Sequence, residues 1–488
     1  MKYRGHMPGR EMKSKLTVFQ PRGDYPDPHL WIEPASLLNI RFAAFEGLVG
    51  YDADLNIIPV LAERWETSED ATVWDFFLRE GIRFHDGRPL TAADAAASIR
   101  NASRKEVRGA YRTDALLYSY LGQAKVEPID DRNLRITLPS PMADLPDLLV
   151  YIVIIPERFI GADPKTIPGT GPFCPEKFEN SRFHFRRNED YWKNIPEPEE
   201  LIFVVEEDPE KRAKALLSGE ADIATDLNWS HTTLIDENDE CLAIEYDPPV
   251  AIPLMLNCSG GPLADVRVRQ ALNYGTDVNE VIQKACKGAA LPLTGPLTPH
   301  HFGYDPFSKP YPYDTGKAWQ LLSDAGYPDG LELTIYRPTV MPDESGAVTK
   351  NLKEQWARIG IKLHIEVQPD RAQYAEDVRA KRIHDLCIFD SAPLSTYRVL
   401  REKLDSSVRG PWWQGYDSPA FNELLSKAAR TVDKEKRRLI YREAIRIAVD
   451  EAAWVFLYSP VKYFGLTWNV YERFPALCGR ADGILLFN

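Results

Sequence analysis

Two blocks of alternating strand and helix periodicity, separated by Asp247-Pro248-Pro249, constrain this chain more than any other feature. In the first block residues 15–20 alternate as a strand and 201–205 form an apolar run. Helical spacing follows over 209–217 behind Asp208 and Pro209, and 222–225 read as a further strand. Gly219 ends that helix where a left-handed residue is wanted. In the second block strand patterns at 331–336, 361–367 and 385–389 are interleaved with helical patterns at 347–359 and 372–380. Strands that alternate with helices pair mainly in parallel and need cover on both faces. The pattern therefore predicts two α/β halves joined by short crossings, with a cleft between them. At 488 residues the chain is too long for one core. The expected division is a first lobe over 1–247 with a subdomain at about 45–167, a second lobe over 248–465, and 466–488 returning to the first.

Residues 42–100 are the densest stretch of local signals. Residues 72–78 alternate as a half-buried strand, Gly81 breaks the run, and 82–85 alternate again. Asp86-Gly87 is a turn pair, and Thr91 with Asp94 three residues on is a capping signal for an Ala-rich helix reaching about Arg100. Turn and cap chemistry accounts for Asp86 and Asp94 without a catalytic role. Further on, Gly169-Thr170-Gly171-Pro172-Phe173 reads as a structural turn, since Pro172 removes a donor that a phosphate would need. The helix expected from Val266 carries Val268, Ala271 and Leu272 on one face, which leaves Arg267 and Arg269 on the solvated side.

Taken in order, several of these segments resemble the signature of the extracellular solute-binding proteins of peptide, nickel and opine ABC importers, family 5. They are Phe45-Glu46-Gly47-Leu48, Leu61-Ala62-Glu63-Arg64-Trp65, Phe84-His85-Asp86-Gly87, the Gly-Thr-Gly-Pro-Phe turn, Asn188 with Tyr191-Trp192, Ser218-Gly219-Glu220 with Asp222-Ile223, and 262–274. The resemblance implies a two-lobed periplasmic-binding-protein-like fold of class II, cluster C type, with mixed sheets, flanking helices and an extra subdomain in the first lobe. It also implies a small polar ligand and ABC permease subunits as partners. In this picture the protein is a monomer with no cofactor.

Charge and motifs narrow the function from the other side. A net charge of −13 spread along the chain argues against nucleic acid and against an anionic membrane surface. The sequence has no GxSxG, HExxH or Walker loop, and His300-His301 has no carboxylate at ligand spacing, so neither an enzyme nor a metal site is expected. The six cysteines show no CxxC and read as small core residues. Residues 1–20 lack the apolar core of a secretory leader. A periplasmic protein whose leader has been removed is the first expectation, and a cytoplasmic ligand sensor or accessory protein of the same fold is the second.

Candidate ligand residues come from both lines of reasoning. Asp390 follows directly on a strand end, where α/β sheets present ligand groups. The resemblance implies that it holds a ligand ammonium, with Ser391 beside it; a helix cap is the other role open to the same carboxylate. The resemblance also points to Trp31 and Glu33 after the Asp27-Pro28-His29 loop, and to Tyr111. Residues 341–348 lack the arginine that dipeptide binders of the family use, which argues against dipeptides and leaves Arg337 as the candidate for an anionic group. Trp412 and Trp413 offer flat surfaces for stacking.

Overall fold

The computed structural model describes residues 14–30, 35–107, 116–474 and 484–485. Two large sheets organise it. The first has seven strands in the order Cys241–Tyr246, Lys462–Thr467, Ile223–Leu227, Lys15–Gln20, Glu200–Val205, Arg182–Arg187, Phe173–Glu179. The second has six, in the order Ala290–Pro292, Trp454–Pro460, Ile252–Leu256, Leu386–Ile388, Leu331–Pro338, Ile361–Gln368. A four-stranded sheet (Ala62–Thr67, Val73–Leu78, Asn133–Thr137, Lys125–Pro128) forms the extra unit within the first half of the sequence. The sheets are mixed rather than mainly parallel. Among the described residues parallel pairing is confined to Lys15–Gln20 with its two neighbours and Leu331–Pro338 with its two, where helices carry the chain between strands. The remaining pairs are antiparallel, because the chain re-enters through hairpins and long returns.

The chain leaves the first large sheet after Tyr246 and enters the second at Ile252, through Pro248 and Pro249, which cannot extend a central strand. It returns between Pro460 and Lys462, ahead of the crossing near Gly465 that the sequence suggested, since Lys462–Thr467 already pairs along Cys241–Tyr246. Leu485 then donates its N–H to Asn39 Oδ1 at 2.9 Å, fastening the end of the chain to helix Ala35–Ala44. Period-two alternation splits the second core cleanly. Leu333 and Ile335 pack with Leu352 and Trp356 of helix Ser345–Ala357, while Tyr336 packs with Tyr374 on the other face.

The signature segments meet at one junction. Glu46 is buried and accepts from Tyr191 Oη and Trp192 Nε1, each at 2.8 Å, so two motifs 145 residues apart complete one another. Burial pushes the Glu46 carboxyl up, against the pull of Lys193 and these two donors. His85 joins the same region: its N–H donates to Gly169 O at 2.8 Å, and its Nε2 lies 3.0 Å from Gly171 O. A Cβ on Gly169 would stand 1.8 Å from the Ala44 carbonyl oxygen, so only glycine lets this turn close on the end of the first helix. Thr91 and Asp94 make the capping box.

Arg269 departs from expectation. It is buried and donates to the carbonyls of Leu263, Ala264, Glu451 and Ala452, satisfying the end of helix Lys434–Asp450, whereas Arg267 stays exposed beside Asp265.

Candidate ligand-binding site

Ile361–Gln368 and Leu386–Ile388 flank Leu331–Pro338 and both run parallel to it, so the residues after them emerge at the same sheet edge. After the first strand, Asp370 caps helix Arg371–Arg379, its Oδ1 accepting from the N–H of Ala372 (2.9 Å) and of Gln373 (3.1 Å). This places Arg371 on the first turn. After the second strand come Phe389 and Asp390. Arg371 Nη2 donates to Asp390 Oδ1 at 2.9 Å, and the guanidinium carbon lies 5.1 Å from the Phe389 ring centre. Trp412 packs on the same Phe389 ring, with centroids 4.8 Å apart.

These groups line one side of a cavity of about 690 Å³, together with Arg398 and Lys403 of helix Thr396–Lys403. The opposite side belongs to the seven-stranded sheet and its loops, among them Arg22, Arg212, Asp226 and Lys462. Arg212 donates to the carbonyls of Glu206, Glu207, Thr225 and Asp226 at 2.7 to 3.0 Å. That clamp holds Asp226 at φ 54°, a left-handed conformation uncommon outside glycine. Lys462 Nζ is 3.2 Å from Asp226 Oδ1. Burial tends to raise the Asp226 carboxyl, but Lys462 and Arg212 outweigh it and hold the group below its ordinary range. Asp226 in turn holds the Lys462 ammonium up. The cavity thus presents fixed charges of both signs on both sides, at a size within the ~300–1,000 Å³ usual for small-molecule sites.

Of the residues the sequence singled out, Asp390 and Trp412 line the cavity. Asp390 caps no helix, since Ser395 caps Thr396–Lys403. Ser391 is buried behind the wall, where its Oγ accepts from Lys403 Nζ at 2.6 Å and its backbone bridges Ala251. It positions a lining residue and does not line the cavity itself. Arg337 is also off the cavity. Alternation points it with Leu333 and Ile335 towards helix Ser345–Ala357, where it donates to Pro338 O at 3.1 Å and packs on Gly346. Trp413 turns into its own loop, Nε1 donating to Tyr416 O at 2.6 Å. Trp31, Glu33 and Tyr111 lie outside the described residues. Arg371 was missed, although the strand-end rule that selects Asp390 selects it equally. His300 meets Asp247 at 2.9 Å through the fold rather than through sequence spacing, and among the described residues no group of three His, Cys, Asp or Glu side chains could hold a metal ion.

Residues 56–429 match the family described as bacterial extracellular solute-binding proteins, family 5, in its middle region. The chain belongs to this family. It is 27% identical over 435 residues to the glutathione-binding protein GsiB of Pectobacterium atrosepticum, covering 85% of this chain and 82% of that one. Among solved structures, HbpA2 from Haemophilus parasuis superposes with a TM-score of 0.79 at 23% identity, over 93% of this chain and 96% of that one. The binding protein AgaA of A. tumefaciens R10, solved with agropinic acid, gives a TM-score of 0.76 at 25% identity, over 93% of each chain. The two-sheet architecture is that of family 5 binding proteins, and the role that goes with it is to bind a solute for an ABC importer. The family is one of binding proteins, not enzymes. Among the described residues no helix is long and apolar enough to cross a membrane.

Proposed function

We propose that this chain is a monomeric periplasmic binding protein whose two halves close on a small, charged, peptide-like or opine-like solute and pass it to the permease. The halves in this reading are a first lobe over 1–247 and a second over 248–465, with 466–488 returning to the first. The observation that carries this reading is the cavity of about 690 Å³ lined by charged side chains from both large sheets. A solute that touches both sides favours the closed arrangement, because only contacts better made when closed shift the population. The relatives that bind glutathione and agropinic acid set the size and polarity of the solutes to try first. Neither is a dipeptide, which agrees with the absence of arginine from 341–348.

The test is a calorimetric titration with glutathione, an opine, and α-linked tri- and tetrapeptides. Binding of at least one, in the micromolar range or tighter, with the solute recovered intact, supports the reading. Saturable chemical turnover of a panel member, or no binding by any, overturns it. Fractionation of cells producing the native gene product tests the location.

A further inference from the structure

We propose that Arg371 and Asp390 act together as a recognition site for an α-amino-acid head group, one whose ammonium and carboxylate sit on the same carbon. This rests on the reading of the cavity as a solute site. A carboxylate alone on the wall would attract an ammonium. Here the carboxylate is already engaged: Arg371 Nη2 donates to Asp390 Oδ1 at 2.9 Å, and their side chains keep 15% and 19% exposure where they line the cavity. The guanidinium is held in place rather than left to swing. It stacks over Phe389 at 5.1 Å and Tyr374 at 5.7 Å, and its backbone is fixed by the Asp370 cap.

The electrostatic consequence follows from separation. A lone ammonium that approaches Asp390 meets Arg371 within a few ångströms, so repulsion cancels most of the attraction. A lone carboxylate approaching Arg371 meets Asp390 in the same way. A group carrying both charges avoids this. Its ammonium takes Asp390, its carboxylate takes Arg371, and the two like-charge pairs fall on the longer diagonals of a four-charge square. Each short contact is a charge-assisted hydrogen bond, and guanidinium matches carboxylate geometry. The amino-terminal carbon of an α-linked peptide lacks the second charge, because it bears a neutral amide; an α-linked Glu keeps only a side-chain carboxylate, two methylenes further away. A γ-linked glutamyl residue and a secondary amine bearing carboxylates both have that second charge.

The decisive probes are two isomers of equal composition and net charge, γ-linked and α-linked Glu-Cys-Gly, titrated into the wild-type protein and into Arg371→Gln, Arg371→Lys and Asp390→Asn. The expected result is a preference for the γ isomer of about tenfold or more in the wild type. It should collapse to less than about threefold in Arg371→Gln and be partly kept in Arg371→Lys. Thermal melts of the variants identify any loss due to misfolding, and the isomer ratio is not moved by a structural role alone. Equal or tighter binding of the α isomer, with both bound, overturns the proposal while the solute-binding reading stands. So does a γ preference that survives Arg371→Gln. Failure of every solute in the titration panel, these isomers included, removes the solute-binding reading and this site with it.

Discussion

The molecule carries two kinds of ion-pair site between sequence-distant segments, and they differ in what they can exchange. Arg371, on the first turn of helix Arg371–Arg379, and Asp390, just past strand Leu386–Ile388, face a cavity, where both remain within reach of a solute. Asp144 and Arg437 join the unit built on the four-stranded sheet to helix Lys434–Asp450 and are sealed, at 3% and 12% side-chain exposure. Asp144 Oδ1 lies 3.1 Å from Arg437 Nε, and its Oδ2 accepts from Tyr441 Oη at 2.7 Å. Apolar packing continues across the same contact, since Leu394, Tyr397 and Ala429 complete the core of that unit. A second link, from Tyr120 Oη to Glu402 Oε1 at 2.8 Å, continues through Arg398 to the cavity wall. Access, not the strength of the bond, separates a pair open to a solute from one that holds two parts of the chain together.

That distinction can be broken by substitution. The largest effect is expected for Asp144→Ala, which leaves Arg437 buried without its partner and Tyr441 without its acceptor. Urea unfolding should show a loss of about 3–5 kcal/mol. A loss under about 1 kcal/mol would mean that water reaches this contact and that the two sites are alike. Asp390→Asn should behave in the opposite way. We expect at least about tenfold weaker solute binding by calorimetry, with stability changed by less than about 1 kcal/mol. Unchanged affinity would take Asp390 out of the site.

A pH measurement sharpens the comparison further. Burial and the neighbouring Asp144 carboxylate push Asp147 up to about 8, partly offset by Arg437 and by Tyr51. A carboxyl with a folded-state pKa above its ordinary value of about 3.9 binds its proton more tightly when folded, so its contribution to stability falls as pH rises through that interval. Asp147→Asn should therefore flatten the decline in stability between about pH 4 and 8 relative to the parent. An identical slope in parent and variant would show that Asp147 ionises freely in the folded protein. The smallest effect is expected at Trp413. Replacing it with Phe should leave solute affinity within about twofold, whereas Trp412→Ala should weaken it several-fold through loss of packing on Phe389.

The fold was legible because the residues that resemble the family build its framework. Glu46, His85, Gly169, Gly171, Tyr191 and Trp192 converge on one junction, and each is demanded by a hydrogen bond or a close approach that few other residues satisfy. Arg269 was misread because helical spacing says which face a side chain leaves from, not what lies across from it. The neighbour turned out to be a set of helix-end carbonyls 182 residues away. The candidate site was half legible. Asp390 follows from its place beyond a strand, and Arg371 obeys the same rule on a strand two places along the sheet, but strand order is invisible until the sheet is assembled. Arg337 and Trp413 lie off the cavity for a local reason, since one residue along a strand or loop turns a side chain to the other face.

On the proposed function, a solute held at this cavity draws the two halves together. Small-angle X-ray scattering of the protein with and without a solute at saturating concentration, occupancy being set by titration, tests it most directly. A smaller radius of gyration is expected in the bound state, with partial reversal of that change in Asp390→Asn at the same solute concentration. Superimposable curves for a demonstrably occupied protein would contradict it.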